Sequence, residues 1–248
     1  MKQIRRALIL AGVGLLLAGC KTDQGTKHAE QMDARVAESR PEAQYPDPAT
    51  PAAADAATPA ASAPDGRPVL VCFGDSLTAG YGADPGASYP DFLQADLDQR
   101  GYKYRVVNEG ISGNTTKDGV GRIDDVLRLK PAVVVVEFGG NDGLRGLPIT
   151  DSRANLDTML ARLTASGTKV ALAGISLPPD YGPDYIRQFD ETYTLLAKKY
   201  KVPMLPFLLQ GVYGVPGMMQ ADRTHATDAG NKVVAQNVMP LVTPLLKR

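Results

Sequence analysis

The chain has 248 residues, 44% of them hydrophobic and 22% charged, enough for one domain with a sizeable core plus appendages. Its 27 basic and 27 acidic side chains cancel, which leaves no basic footprint for nucleic acid. The two cysteines, Cys20 and Cys72, exclude a disulfide framework or a cysteine-rich zinc site, and the two histidines, His28 and His225, limit where imidazole chemistry can sit.

Residues 1–19 read as a targeting segment: Lys2, Arg5 and Arg6 make a basic start, and Ala7–Leu17 is an apolar run shorter than the about 20 residues a bilayer span needs. The run ends in Leu17-Ala18-Gly19-Cys20, which resembles the bacterial lipobox; the resemblance implies lipidation of Cys20 as the new first residue. A plain secretory signal with a chance cysteine is the alternative. Removing residues 1–19 takes away three basic side chains and no acidic ones, so the charge balance moves from 0 to −3. By resemblance to lipoprotein sorting, Lys21 implies an outer-membrane anchor in a double-membraned cell, facing the periplasm. Residues 20–67 are rich in Ala, Pro, Asp, Glu, Gln and Thr and poor in large apolar side chains, the composition of a disordered tether.

From Pro68 to Arg248 the pattern becomes apolar strands alternating with amphipathic helices. Val69–Phe73 reads as a buried strand, and Tyr89, Phe92, Leu93 and Leu97 mark the helix after it. A strand at Tyr104–Asn108 and a helix carrying Ile123, Val126, Leu127 and Leu129 follow. Ala132–Val136 is apolar on both faces and so central in a parallel sheet. Leu156, Met159, Leu160 and Leu163 mark a helix, Val170–Ile175 a strand, Phe189–Tyr200 a helix and Pro203–Pro206 a short strand. A last helix begins near Asp228 and becomes irregular at Pro240 and Pro244. This alternation predicts one α/β domain over 68–248, with a parallel five-stranded sheet covered by helices on both faces.

Gly74-Asp75-Ser76-Leu77, Gly110-Ile111-Ser112-Gly113-Asn114-Thr115-Thr116 and Gly139-Gly140-Asn141-Asp142 each follow a predicted strand, so topology brings them to the same edge of the sheet. Asp222-Arg223-Thr224-His225 precedes the last helix. Acyl transfer from a serine needs a base, a group to orient that base, and fixed donors for the oxyanion. The predicted domain holds one histidine, His225, and Asp222 three residues earlier can accept its Nδ1–H. That leaves Nε2 for Ser76, while the backbone N–H groups of Ser76 and Gly113 and the amide of Asn141 are candidate oxyanion donors.

These four blocks resemble the SGNH hydrolases, also called GDSL-type esterases, through Ser76, Gly113, Asn141 and His225. The stretch Glu137-Phe138-Gly139-Gly140-Asn141-Asp142-Gly143-Leu144-Arg145-Gly146 is similar to the thioesterase I / lysophospholipase L1 / arylesterase subgroup. The resemblance implies a three-layer α/β/α, flavodoxin-like fold and ester or thioester hydrolysis without metal or cofactor. It gives Ser76 as nucleophile, His225 as base, Asp222 as its partner, and Ser76, Gly113 and Asn141 as the oxyanion hole. It also implies a substrate-binding loop over Gly143, Leu144, Arg145, Gly146, Leu147 and Pro148. Ala226 departs from the proline common after the histidine, a change expected to loosen the loop that carries His225 and to remove no catalytic group.

Each site residue has a plainer alternative: Ser76 as a helix cap, Gly113 and Asn141 as turn residues, Asp222 with His225 as a surface pair, Arg145 as a solvated cation. Cys72 is the rival nucleophile, in a strand position that hides it. The expected substrate is a small ester or thioester, lysophospholipids included, hydrolysed by a monomer; an acetylated polysaccharide is the alternative within the same chemistry.

Overall fold

The computed structural model describes residues 65–248. The expected leader, the lipidation expected at Cys20 and the expected tether as far as residue 64 lie outside the described residues.

Five strands, β1 (Val69–Gly74), β2 (Arg105–Gly110), β3 (Val133–Glu137), β4 (Lys169–Ala173) and β5 (Met204–Leu205), form a wholly parallel sheet in the order β2-β1-β3-β4-β5. Every residue of β1 and β3 is buried, which is why Val69–Phe73 and Val133–Val136 read as unbroken apolar runs rather than alternations. The chain leaves β1 for β2 on one side, then crosses back to β3 on the other. That reversal opens a crevice beyond the carboxyl ends of β1 and β3.

Among the described residues the helices are α1 (Ser76–Ala79), α2 (Tyr89–Gln99), α3 (Thr116–Gly121), α4 (Ile123–Arg128), α5 (Gly140–Leu144), α6 (Ile149–Ala165), α7 (Pro183–Tyr200) and α8 (Asp228–Val242). Helix α2 packs against α8, while α6 packs against α3 and α7, so the sheet lies between two helical layers as expected for α/β/α. Ser88 caps α2 in a reciprocal box with Asp91, satisfying two orphan N–H groups. From there Tyr89, Leu93 and Leu97 bury one face against the sheet.

Two short helices depart from the sequence reading. Helix α3 carries Lys117, Asp118 and Gly119 and shows no apolar stripe; a capping box between Thr115 and Asp118 starts it. Helix α5 occupies the start of the expected substrate loop, so Gly143 and Leu144 are helical and only Arg145 to Pro148 remain irregular. At the far end α8 continues through Pro240 to Val242, because a proline in the last turn removes only one ladder bond, and a 3-10 turn over Thr243–Leu245 follows.

Candidate active site

Gly74 ends β1 in a space no other residue fits: an added Cβ would lie 2.1 Å from Thr78 Oγ1 and 2.7 Å from the Glu137 carbonyl oxygen. The chain turns there, and Asp75 caps α1 by accepting the Leu77 N–H at 3.0 Å. Ser76 is thus the first residue of α1 and half-buried, with Asp75 rather than Ser76 doing the capping. The Ser76 N–H makes no hydrogen bond among the described residues.

His225 lies on a surface loop 149 positions away, yet its Nε2 stands 2.8 Å from Ser76 Oγ. Its Nδ1 is 2.6 Å from Asp222 Oδ2. A carboxylate at Nδ1 fixes the proton there and leaves Nε2 to accept from the serine hydroxyl. Asp222 Oδ1 accepts the backbone N–H groups of Thr224 at 2.9 Å and His225 at 3.0 Å, which closes the turn on which Arg223 adopts a φ of +58°. Partial burial would raise the Asp222 carboxyl, but the donors from His225 and Thr224 outweigh it and hold the group below the ordinary range.

The loop is clamped despite Ala226. Gln220 donates its backbone N–H to the His225 carbonyl at 2.8 Å, and its Nε2 donates to the carbonyls of Tyr81 at 2.7 Å and Ala226 at 2.8 Å. Ala226 itself is buried and bridges Met219, so packing and a backbone bridge hold the position that lacks the proline. The ring of Tyr81 lies over the imidazole with centroids 4.6 Å apart.

The remaining predicted donors converge on the same edge. Gly113 sits at φ +81°, and its N–H is free among the described residues. Asn141 donates Nδ2 to the Asn114 carbonyl at 2.9 Å and to Asp75 Oδ2 at 3.3 Å, so both its protons are engaged in this state. Arg145 is not simply solvated: it donates to the Gly113 carbonyl at 3.1 Å and ties the 145–148 segment to the loop after β2. Cys72 is fully buried, and that burial pushes its thiol up to about 12, which leaves it without the thiolate a nucleophile needs.

Residues the sequence reading passed over hold this edge together. Arg122 donates to the Gly74 carbonyl at 2.7 Å, the Glu109 carbonyl at 2.9 Å and Asn114 Oδ1 at 2.7 Å, with its guanidinium 4.5 Å from the Phe73 ring centre. Asp142 accepts from Thr116 and Ser152 and joins α5 to α3 and α6. Glu137, wholly buried at the end of β3, accepts the Thr78 hydroxyl at 2.9 Å beneath the Ser76 turn. Burial pushes the carboxyls of Glu137 and Asp75 upward; the Asp75 charge adds to the rise at Glu137, whereas a hydrogen bond from Glu137 works against the rise at Asp75.

A family model described as GDSL-like Lipase/Acylhydrolase matches residues 72–233. Esterase TesA of Pseudomonas aeruginosa is 46% identical over 178 residues, 71% of this chain and 89% of that protein. Thioesterase 1/protease 1/lysophospholipase L1 of Escherichia coli K12 is 36% identical over 178 residues, covering 71% of this chain and 84% of its own. A crystal structure of TesA superposes with a TM-score of 0.70 at 45% identity, over 72% of this chain and 99% of that one. The match runs through β1, β3 and the His225 loop alike, and on that ground the chain belongs to the GDSL-like lipase/acylhydrolase family of carboxylic ester hydrolases.

Proposed function

We propose that the protein hydrolyses carboxylic esters and thioesters through a covalent acyl-enzyme on Ser76. The observation that carries the reading is the continuous hydrogen-bonded line from Ser76 Oγ through His225 to Asp222, at 2.8 and 2.6 Å. As Oγ attacks the acyl carbon, its proton passes to His225 Nε2 and the carbonyl oxygen becomes an oxyanion. The free N–H groups of Ser76 and Gly113 receive it, and Asn141 joins them by giving up its bond to the Asn114 carbonyl. When the C–O or C–S bond breaks, the leaving alkoxide or thiolate takes the proton from Nε2. Water then repeats the sequence: it loses its proton to Nε2, and Ser76 Oγ regains one as the acid departs. Asp222 steadies the imidazolium at both stages.

Small acyl esters, aryl esters, lysophospholipids and acyl thioesters are the proposed substrates, on the strength of the relatives' names. The test is labelling with a fluorophosphonate together with hydrolysis of a p-nitrophenyl ester. Ser76→Ala should abolish labelling and lower kcat on the order of 10⁴ to 10⁶ fold. Retention of turnover by folded Ser76→Ala protein would remove the reading.

A further inference from the structure

We infer that Glu137 is a neutral carboxylic acid that donates a hydrogen bond to the Asp75 carboxylate, and that this buried pair positions the oxyanion donors of the Ser76 site. The inference rests on the serine-hydrolase reading and adds a positioning residue to it.

Three observations carry it. First, Glu137 and Asp75 adjoin: Glu137 Oε2 accepts the Asp75 backbone N–H at 3.5 Å, Glu137 is wholly buried and Asp75 2% exposed, and neither is in an ion pair among the described residues. Arg122 acts on Asp75 only through its charge, since its guanidinium donates to the Gly74 and Glu109 carbonyls and Asn114 Oδ1. Two adjoining buried carboxyls with no ion-pair partner do not both ionise, so the pair holds a proton. Second, the hydrogen-bond inventory says where. Both oxygens of Asp75 accept N–H donors, from Leu77 and Asn141. Glu137 Oε2 accepts the Thr78 hydroxyl and the Asp75 N–H, whereas Glu137 Oε1 is enclosed and receives no donor among the described residues. An orphan buried carboxyl oxygen is satisfied by carrying the proton itself and donating it. Third, the acceptor of that proton reaches the reaction centre: Asp75 holds the Asn141 amide at 3.3 Å and precedes Ser76, whose N–H is free.

The groups around the pair are consistent with one shared proton. Cys72 and Tyr89 lie on the β1 and α2 side, Tyr193 approaches from α7, Asp142 from α5 and His225 from its loop. Cys72, Tyr89 and Tyr193 have their ionisation pushed upward by burial, so they are neutral neighbours that add no charge to the pair.

The full chain with Glu137→Gln, Glu137→Leu and Ser76→Ala supplies the test. Glutamine keeps a donor toward Asp75 and an acceptor for Thr78; leucine keeps only volume. Glu137→Gln should retain kcat to within about tenfold, while Glu137→Leu should lose on the order of 10² in kcat with KM little changed, the size of one lost oxyanion donor. Difference infrared spectra at about pH 7 should show the carbonyl stretch of a buried protonated carboxyl that disappears in Glu137→Gln. A carboxyl whose folded pKa lies above its unfolded value binds more protons folded than unfolded, so its contribution to stability is lost as pH rises. The Tm of Glu137→Gln relative to wild type should therefore climb from about pH 5 to about pH 8. An absent acid band, or a glutamine variant as impaired as the leucine variant, would overturn the inference. The band and the Tm trend are also read in a Ser76→Ala background, where they stand apart from any failure of the nucleophile assignment. If Glu137→Leu does not fold, the glutamine variant and the spectrum decide alone.

Discussion

The two halves of the candidate site are held by opposite means. Ser76 stands on a bed of buried polar side chains: Asp75, Thr78, Glu137 and, behind them, Arg122. His225 stands on an open loop where the Asp222 side chain is 40% exposed and the fastening is a set of backbone bonds plus the amide of Gln220. A buried hydrogen-bond network is expensive to break, because each orphaned partner keeps its desolvation cost. A solvated clamp is cheap to break, because water replaces the lost partner. The nucleophile half therefore ties activity to global stability, whereas the base half can be altered with the fold left nearly intact.

Two substitutions probe the buried half. Asn141→Ala removes a proposed oxyanion donor and should cost on the order of 10² to 10³ in kcat, roughly 2.7 to 4 kcal/mol in the barrier. The same change frees the Asn114 carbonyl and one Asp75 oxygen, so thermal unfolding should also register a loss of about 1 kcal/mol. A stability loss with unchanged kcat would make Asn141 a structural residue only. Arg122→Lys keeps the charge but not the fork: one ammonium cannot reach the Gly74 and Glu109 carbonyls and Asn114 Oδ1 together. Denaturant titration should show destabilisation of about 2 to 3 kcal/mol, the loss of one or two charge-assisted bonds, with activity lowered in parallel. Full stability in this variant would show that the bed carries less than its geometry implies.

The same contrast explains what the sequence made legible. The apolar runs of β1 and β3 and the stripes of α2, α6 and α8 are burial written directly into residue type, and they appeared where the pattern put them. Ser76, Gly113 and Asn141 were legible because each follows a strand at one edge of the sheet, and His225 because it is the one histidine of the predicted domain and follows Asp222 by three residues. Helices α3 and α5 were not, since Gly119, Gly140 and Gly143 argue against helix and packing overrides that preference. At Gly143 an added Cβ would meet Leu177 at 2.5 Å, so the glycine there serves close approach rather than flexibility. Glu137 carried a usable signal, one acid closing a run of four valines in a strand buried on both faces. Arg122 carried none, because an arginine between two short helices reads as solvated until its three acceptors are known.

The exposed half has its own probe in Gln220→Ala. Among the described residues the amide of Gln220 is the one side chain that bonds both the Tyr81 turn and Ala226, and its removal takes the donor from carbonyls it reaches at 2.7 and 2.8 Å. The Tyr81 bond is exposed and the Ala226 bond only part-buried, so water can replace the donor at the first, and the change in unfolding free energy should stay at about 1 kcal/mol or less. The backbone bond from Gln220 N–H to the His225 carbonyl survives the substitution, and so does the Asp222 turn. What loosens is the contact between the Tyr81 ring and the imidazole, and with it the fraction of time Nε2 spends within reach of Ser76 Oγ. A few-fold drop in kcat with an unshifted Tm is the expected result from steady-state kinetics and calorimetry on the same preparation. A fall in Tm matching that of Arg122→Lys would mean that the histidine loop, like the serine turn, belongs to the cooperative core.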